Sequence, residues 1–460
     1  MQKPIKILLL NAINETVEVE RRYPNLGLGY LISAVRMHIT EERIEFLIAD
    51  RNIPETIKKF QPNLVGISSV TQNYNIALKY SCYLCNCGIP HIFGGIHITT
   101  LPETLPKSAL AACLGESEMT FVDIVQLFIK QTISKKDLYE IYGIAFWDND
   151  TLVRTKPRPL ISDMNTISFP ARDQLEIHSH TYMFTSRGCP YRCSFCSSSR
   201  FWDKLRLFSA EYVVDEIELL VSTYRVKLIS FFDDLFVANR NRLKSIIRIL
   251  EERCLLGKVK FTCSCRANVV DKELASLLFK MGVVSVGLGL ESGDEETLQY
   301  LKGNTIYVKD NINAINSLKD AGIAVNGSFI IGSPKETGLQ IMRTYNFIKN
   351  SRLDLFDIYI LTPYPSTPIW EYALNKNLVS DNMIDWSVLD VNTYRRPEKC
   401  IILSETLSRK EIIGFYKKFR RLRLIRNIRK IVNHPLKKDL PRMAWNYFIE
   451  MLTSKQIKYK

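Results

Sequence analysis

The segment Thr185-Ser-Arg-Gly-Cys-Pro-Tyr-Arg-Cys-Ser-Phe-Cys196 places three cysteines in the spacing Cys-x3-Cys-x2-Cys. Three thiolates can bind three irons of a cubane and leave the fourth iron open, whereas ferredoxin sites use four cysteines. A structural zinc site needs a fourth ligand, and no Cys or His follows Cys196 closely. We therefore predict that Cys189, Cys193 and Cys196 hold a [4Fe–4S] cluster. A zinc site and three unconnected cysteines are the alternatives.

The chain around this motif alternates short apolar runs with helix-length stretches, which predicts parallel strands covered by helices. The strands are predicted at Tyr182–Ser186, Leu228–Phe232, Lys260–Ser264, Val284–Leu290, Ala324–Ile331 and Asp357–Leu361. Six such βα units fit a partial barrel of the TIM type, in which functional residues gather at the carboxyl ends of the strands. The cysteine motif follows the first of these strands, so we expect it at that face.

The first part of the chain shows a similar alternation. Short apolar strands are predicted at Ile5–Leu10, Ile44–Ile48, Leu64–Ser68, His91–Phe93 and Ala111–Leu114, with helices such as Leu28–His38 and Ile76–Cys87 between them. This pattern indicates a doubly wound α/β domain, which binds ligands at the carboxyl ends of its strands. The sequence thus predicts a Rossmann-like cofactor-binding domain ahead of the barrel.

The cysteine spacing, with an aromatic residue just before the last cysteine, resembles the radical S-adenosylmethionine (SAM) superfamily. This resemblance implies that the open iron binds SAM and that reductive cleavage of SAM yields a 5′-deoxyadenosyl radical. It also implies SAM contacts at residues that follow later strands: Asp233, Asp234, Arg266, Glu291 and Gly332. Singly, each is a weak signal, and an ordinary turn or surface contact is the alternative. Their order along the chain is what carries the resemblance.

Pro24–Leu31, Gly94-Gly-Ile-His97 and Leu114–Thr120 resemble the cobalamin-binding domain that precedes many radical SAM barrels. The resemblance implies that cobalamin contacts the following residues: Ser68, Thr71, Gln72, Gly94, Gly95, Gly115 and Glu116. The Asp-x-His-x-x-Gly motif that supplies a cobalt ligand in other cobalamin proteins is absent, because Asn11-Ala-Ile-Asn-Glu15 follows the first strand. A domain that keeps this shape as a scaffold without cobalamin is therefore the alternative.

Other cysteines and one histidine could be mistaken for site residues. Cys82, Cys85 and Cys87 fall within one helical stretch, and we predict buried structural thiols there instead of a second cluster. His97 could approach the cobalt or the nucleotide tail of cobalamin, or it could be a polar residue in a turn.

Composition places the basic character at one end of the chain. Of the net charge of +14, residues Ile401–Lys460 contribute +12, from 16 Lys and Arg and 4 Asp and Glu. A basic helix over Lys417–Lys430 could lie on an anionic membrane surface, flank an anionic substrate or pack on the barrel, which we favour. No nucleic-acid-binding module is recognisable, so we expect no nucleic-acid partner.

The odd cysteine count, 11, and the lack of a signal peptide predict a cytoplasmic protein.

The predicted organisation is a cobalamin-binding-like domain (1–135), a linker (136–175), a radical SAM partial barrel (176–385) and a basic helical segment (386–460). The resemblance implies a cobalamin-dependent radical SAM methyltransferase that acts on an unactivated carbon of a small-molecule or lipid-like substrate. Such an enzyme needs an electron donor such as flavodoxin or ferredoxin. A radical SAM cyclase or other SAM-cleaving enzyme, and a non-enzymatic corrinoid or cluster sensor, are the alternatives. The sequence indicates no catalytic residue on the protein itself.

Overall fold

The computed structural model describes residues 3–15, 24–130, 134–391 and 397–432. The chain divides into two compact units. The first contains the described residues within 1–264, 277–284 and 363–389, and the second contains those within 265–276, 285–362 and 390–460.

A seven-stranded sheet forms the first part of the first unit, in the order β2-β1-β3-β4-β5-β6-β7. Its strands are β1 (Ile5–Ala12), β2 (Ile44–Ala49), β3 (Leu64–Ser69), β4 (His91–Gly94), β5 (Ala111–Cys113), β6 (Ile144–Asp148) and β7 (Thr151–Arg154). Strands β1 to β5 pair in parallel. The apolar run of β1 is buried, as expected of a central strand covered on both faces. The five strands predicted here are confirmed.

Helices cover this sheet at Leu26–His38, Ile53–Phe60, Tyr74–Asn86, Ile96–Thr100, Glu118–Ile129 and Lys135–Glu140. The helix Leu26–His38 begins at Asn25, whose side chain accepts a hydrogen bond from the Leu28 amide at 3.3 Å. This cap satisfies one of the amides that a helix start leaves without a partner.

The segment 136–175, predicted to be a linker, contains regular structure. Strands β6 and β7 form a hairpin that extends the sheet antiparallel to β5. Asp148 pairs with Thr151, so the loop has two residues, and Asn149 takes a φ of +54°. Asn tolerates this left-handed conformation in tight hairpin turns. The Asp-Asn-Asp run was the signal for this hairpin in the sequence.

The second sheet has six strands in the order β15-β14-β13-β12-β11-β8. They are β8 (His180–Met183), β11 (Leu228–Phe231), β12 (Lys260–Arg266), β13 (Val283–Glu291), β14 (Ala324–Ile331) and β15 (Leu355–Ile360). Strands β8, β11 and β12 pair in parallel, as do β13, β14 and β15. The predicted six-stranded barrel segment is thereby confirmed. The short strands β9 (Ser186–Arg187) and β10 (Arg206–Leu207) pair separately.

Helices follow the strands of this sheet in chain order. They span Ser198–Phe201, Ala210–Ser222, Arg240–Glu252, Lys272–Met281, Glu295–Lys302, Val308–Asp320, Gly338–Asn350 and Pro368–Asn375.

The basic C-terminal segment contains the helix Arg409–Val432. Its apolar stripe is buried at Ile412, Tyr416, Phe419 and Leu422, and Arg423 pairs with Asp357 at 2.8 Å within the second unit. This part of the stripe is therefore covered by protein and is not available to a membrane surface. Residues 433–460 of the predicted segment lie outside the described residues. Among the described residues, none of the helices is long and apolar enough to cross a membrane.

Candidate functional site

The three motif cysteines lie on the loop that follows β9, and all three are half-buried. Gly188 opens this loop with a φ of +89°, and a Cβ added there would stand 2.5 Å from the Lys204 carbonyl oxygen. Only glycine fits that turn. Burial raises the pKa of Cys189 to about 11 and also raises the pKa of Cys196. Iron binding must therefore displace protons from these thiols.

Among the described residues, no three His, Cys, Asp or Glu side chains form a group that could hold a single metal ion. The three thiolates of a cluster site bind separate irons of the cubane. That Cys189, Cys193 and Cys196 hold the cluster stays a prediction.

Asp233 holds the start of this loop in place. Its carboxylate accepts hydrogen bonds from the Thr185 amide at 2.6 Å, the Thr185 hydroxyl and the Ser186 hydroxyl at 2.8 Å. Burial raises the pKa of Asp233, and these donors oppose the shift. The side chain is therefore committed to the loop and not open to a ligand.

Asp234 differs from its neighbour. It is exposed and accepts a hydrogen bond from the Ser198 hydroxyl at 2.6 Å, two residues beyond Cys196. Of the two aspartates that the sequence proposes for the SAM amino group, Asp234 is the one whose carboxylate is accessible beside the cluster loop.

In the second unit, Arg266 is buried at the end of β12. Its guanidinium donates to the side chain of Asn268 at 3.1 Å and to the Lys302 carbonyl at 3.1 Å. Glu291, at the end of β13, pairs with the Lys302 ammonium at 3.4 Å. It also takes a φ of +58°, which costs energy for a non-glycine residue and is often found at functional sites.

Gly332 follows β14 with a φ of +87°. The Gly332 and Ser333 amides donate to one carboxylate oxygen of Glu336 at 2.7 and 3.2 Å. The other carboxylate oxygen of Glu336 is buried without a partner among the described residues, as is the Ser333 hydroxyl. Burial raises the pKa of Glu336 to about 7 against these two hydrogen bonds. The sequence reasoning did not single out Glu336.

The predicted cobalamin contacts of the first domain include a glycine pair at the carboxyl edge of the sheet. No heavy atom lies within 4 Å of a Cβ added at Gly94, whereas a Cβ at Gly95 would stand 2.6 Å from the Ser69 carbonyl. Ser68 pairs with Gly94 in the sheet. The Ser69 hydroxyl, which the sequence reasoning missed, is buried without a hydrogen-bond partner among the described residues. The open space beside Gly94 is compatible with a ligand that approaches the backbone closely.

Thr71 and Gln72 lie in the 3-10 turn Thr71–Asn73 that follows β3. Thr71 is buried and Gln72 is half-buried. The end of β3 therefore brings these two side chains to the same edge as Ser68.

Gly115 and Glu116, predicted together, have different environments. Gly115 has a φ of +71° and open space around an added Cβ. The Glu116 carboxylate is instead engaged with internal donors: Arg187, Arg206 at 2.9 Å and the Ile161 amide at 2.8 Å. The sequence did not indicate these partners, because they are distant from Glu116 in the chain.

His97 is fully buried and stacks on Tyr74, with ring centroids 3.8 Å apart. One ring nitrogen lies 3.1 Å from the Thr104 hydroxyl. Burial lowers the pKa of His97 to about 3, so the ring is neutral at physiological pH. It serves as a packed residue of the first domain.

Cys82, Cys85 and Cys87 are exposed, so the prediction of buried thiols was wrong. The helix Tyr74–Asn86 buries Tyr74, Ala77, Ser81 and Leu84, and this stripe leaves Cys82 and Cys85 on other faces.

Two family models match separate parts of the chain. Residues 183–348 match the family model of the radical SAM superfamily, and residues 16–125 match that of the B12 binding domain. The chain is 33% identical over 402 residues to an uncharacterized methyltransferase of Pyrococcus horikoshii, across 82% of this chain and 85% of that protein. The chain belongs to the radical SAM superfamily.

Two further matches are to a cyclase sequence and to a solved methyltransferase structure. The chain is 27% identical to the anaerobic magnesium-protoporphyrin IX monomethyl ester cyclase of Cereibacter sphaeroides, across 77% of this chain and 61% of that enzyme. The structure of the radical SAM methyltransferase TsrM from Kitasatospora setae, with cobalamin and a [4Fe–4S] cluster bound, superposes with a TM-score of 0.67. That match has 18% identity and covers 81% of this chain and 76% of TsrM, so it supports the fold alone.

These assignments name the cofactors of this radical SAM protein. The radical SAM domain implies a [4Fe–4S] cluster and SAM, and the B12 binding domain implies cobalamin.

Proposed function

We propose that this radical SAM protein is a cobalamin-dependent methyltransferase that transfers a methyl group to an unactivated carbon. The observation that carries the proposal is that one compact unit contains both the three-cysteine loop and the parallel sheet with open space beside Gly94. The cluster with SAM would supply a 5′-deoxyadenosyl radical, and cobalamin would supply the methyl group.

The side chains of this protein would bind and orient these cofactors. Cys189, Cys193 and Cys196 would hold three irons, and the exposed Asp234 would accept from the SAM amino group. Asp233 would keep the loop in shape through Thr185 and Ser186.

Arg266, Glu291 and Gly332 are the other residues that we propose for SAM. Arg266 would approach the carboxylate or ribose, Glu291 would accept from ribose hydroxyls and Gly332 would border the adenine. The positive φ values of Glu291 and Gly332 turn the backbone at the ends of their strands.

In the first domain, the open space beside Gly94 and Gly115 would admit the nucleotide tail of cobalamin, with Gly95 at the same turn. Ser68, Thr71 and Gln72 would lie beneath the corrin. The carboxylate of Glu116 is already bound to Arg187 and Arg206, so we assign it no cobalamin contact.

The substrate would be a small molecule or a lipid-like compound, and flavodoxin or ferredoxin would supply electrons. The second candidate function is ring formation, because the chain is 27% identical to a cyclase over most of its length. Both functions share SAM cleavage, so the methyl group has to be followed to separate them.

The test is anaerobic reconstitution with iron, sulfide and hydroxocobalamin, followed by metal analysis and incubation with methyl-labelled SAM and a reductant. About four irons with one cobalt per chain, and label in the bound corrinoid, support the methyltransferase. Four irons without cobalt would remove methyl transfer through cobalamin. Bound cobalt that takes up no label, together with release of 5′-deoxyadenosine, would favour the cyclase type of chemistry.

A further inference from the structure

Residues 363–389, here called the strap, follow β15 and belong to the first unit. They contain the helix Pro368–Asn375 and the 3-10 turn Trp386–Leu389. Both the first domain and the cluster loop belong to the same unit, and the strap contacts each of them.

One side chain of the first domain binds the far end of the strap. The Asn75 amide nitrogen donates to the Ile384 carbonyl at 2.8 Å, and the Asn75 amide oxygen accepts from the Trp386 amide at 2.8 Å. Because one side chain satisfies a donor and an acceptor of the same backbone, it sets the position of the strap along the helix Tyr74–Asn86.

Trp386 secures this end by burial. It is 2% exposed, and its ring lies edge-on to His97 with centroids 4.6 Å apart. Tyr74 is the third ring of this aromatic group, with its centroid 6.3 Å from that of Trp386. His97 belongs to the segment Gly94-Gly-Ile-His97 at the carboxyl edge of the first sheet, so the strap packs directly against the proposed cobalamin domain.

The near end of the strap contacts the cluster loop. Trp370 stacks on Trp386 with centroids 6.4 Å apart and is likewise 2% exposed. In the first turn of the helix Pro368–Asn375, which contains Trp370, the Ile369 amide donates to the Ser194 carbonyl at 3.4 Å. Ser194 lies between Cys193 and Cys196. Amides in a first helical turn have no partner within the helix, so this one is available for the loop.

We infer that the strap is a positioning element that links the cluster loop to the cobalamin-binding domain, with Asn75 as its positioning residue. The inference rests on the proposed function only in that both cofactors must bind. Methyl transfer needs two cofactors to reach one substrate carbon, and displacements of about 1 Å reduce such reactions strongly. A contact path through tightly packed tryptophans transmits position because packed interiors deform little.

The test compares Asn75→Ala with Asn86→Ala, a matched control at the exposed end of the same helix. Amide hydrogen exchange is measured by mass spectrometry on the cofactor-loaded proteins. In Asn75→Ala we expect roughly fivefold faster exchange in residues 380–389 and also in residues 189–198, with β1 unchanged. Asn86→Ala should exchange like the unaltered protein.

A second measurement reports the relation of the cofactors without catalysis. Electron paramagnetic resonance of the reduced cluster and cob(II)alamin detects the spin–spin interaction between them, which we expect to become more heterogeneous in Asn75→Ala at unchanged iron and cobalt content. Faster exchange confined to 380–389, with an unchanged spin–spin interaction, would overturn the inference.

Asn75→Asp provides a conservative variant should the alanine variant fold poorly. The carboxylate can accept from the Trp386 amide but cannot donate to Ile384, so an intermediate increase in exchange is expected. If the unaltered protein binds no cobalt, the proposed function fails. The exchange comparison would still test the link between strap and cluster loop.

Discussion

Glu118 accepts a hydrogen bond at 2.5 Å from the guanidinium of Arg187, which lies two residues before the first cysteine of the cluster motif. Both side chains are only 9% exposed. Arg187 also pairs with Glu116, which in turn pairs with Arg206. Four charged side chains from the first domain and the cluster-bearing strands therefore form one buried network, in which each charge has an opposite partner.

Arg187→Met should destabilise the protein strongly. The substitution keeps much of the apolar volume but leaves two buried carboxylates short of a partner, which typically costs about 3–5 kcal/mol. The urea midpoint, followed by circular dichroism, should fall accordingly. Arg248→Met is the matched control, because Arg248 pairs with Glu252 at 2.6 Å with both side chains more than half exposed. Its midpoint should change little. Equal midpoints for the two variants would contradict a stabilising role for the buried network.

Replacement of a single motif cysteine should abolish the cluster. Cys193→Ala removes one of three thiolates, so iron content after anaerobic reconstitution and the visible absorbance of the cluster should both fall to background. Cys85→Ala, at an exposed helical cysteine, should retain the full iron content. A protein that loses iron on substitution of Cys85 instead would place the cluster elsewhere.

Glu336 should make stability depend on pH. Its pKa is about 7 in the folded protein against 4.5 ordinarily, so the unfolded chain releases this proton at lower pH than the folded chain does. Stability from this group is present below about pH 4.5 and is lost as the pH rises to 7, by about 3 kcal/mol. Glu336→Gln keeps an acceptor for Gly332 and Ser333 without the charge.

The thermal midpoint of Glu336→Gln minus that of the unaltered protein should therefore increase between pH 5 and pH 8. Glu252→Gln, at an exposed carboxylate, should show a constant difference over the same range. A constant difference for Glu336→Gln would mean that Glu336 is ionised throughout.

Gly94→Leu should separate cobalamin binding from folding. The space beside Gly94 contains no heavy atom within 4 Å of an added Cβ, so the protein itself can accept a side chain. A leucine would occupy the space proposed for the nucleotide tail, and cobalt per chain after gel filtration should fall at least roughly tenfold. Gly414→Leu, also with open space around its Cβ, should bind cobalt normally. Full cobalt loading of Gly94→Leu would exclude the space beside Gly94 as part of the cobalamin site.

Most of the strand pattern could be predicted from the sequence because parallel strands are read from continuous apolar runs. Predicted and observed bounds of β14 coincide at Ala324–Ile331. The hairpin β6–β7 was missed because β7 has no buried residue to produce an apolar pattern.

The exposure of Cys82, Cys85 and Cys87 was also mispredicted. Cysteine is usually buried, and the sequence alone does not indicate which face of a helix meets the sheet. That face is chosen by Tyr74, Ala77 and Leu84, which pack into the core.

The sequence by itself determined the local chemistry: the spacing of Cys189, Cys193 and Cys196, the glycines at strand ends and the order of the βα units. Such features depend on residues close together in the chain, so they can be recognised from the sequence alone. Only the tertiary structure decided how these parts are held. In the folded chain, Glu116 pairs with Arg187, 71 residues away, and Asn75 binds the strap across more than 300 residues. The Asp233 carboxylate is bound to the loop, whereas that of Asp234 is accessible. Partners so distant in sequence are selected by packing and charge pairing, which no local pattern contains.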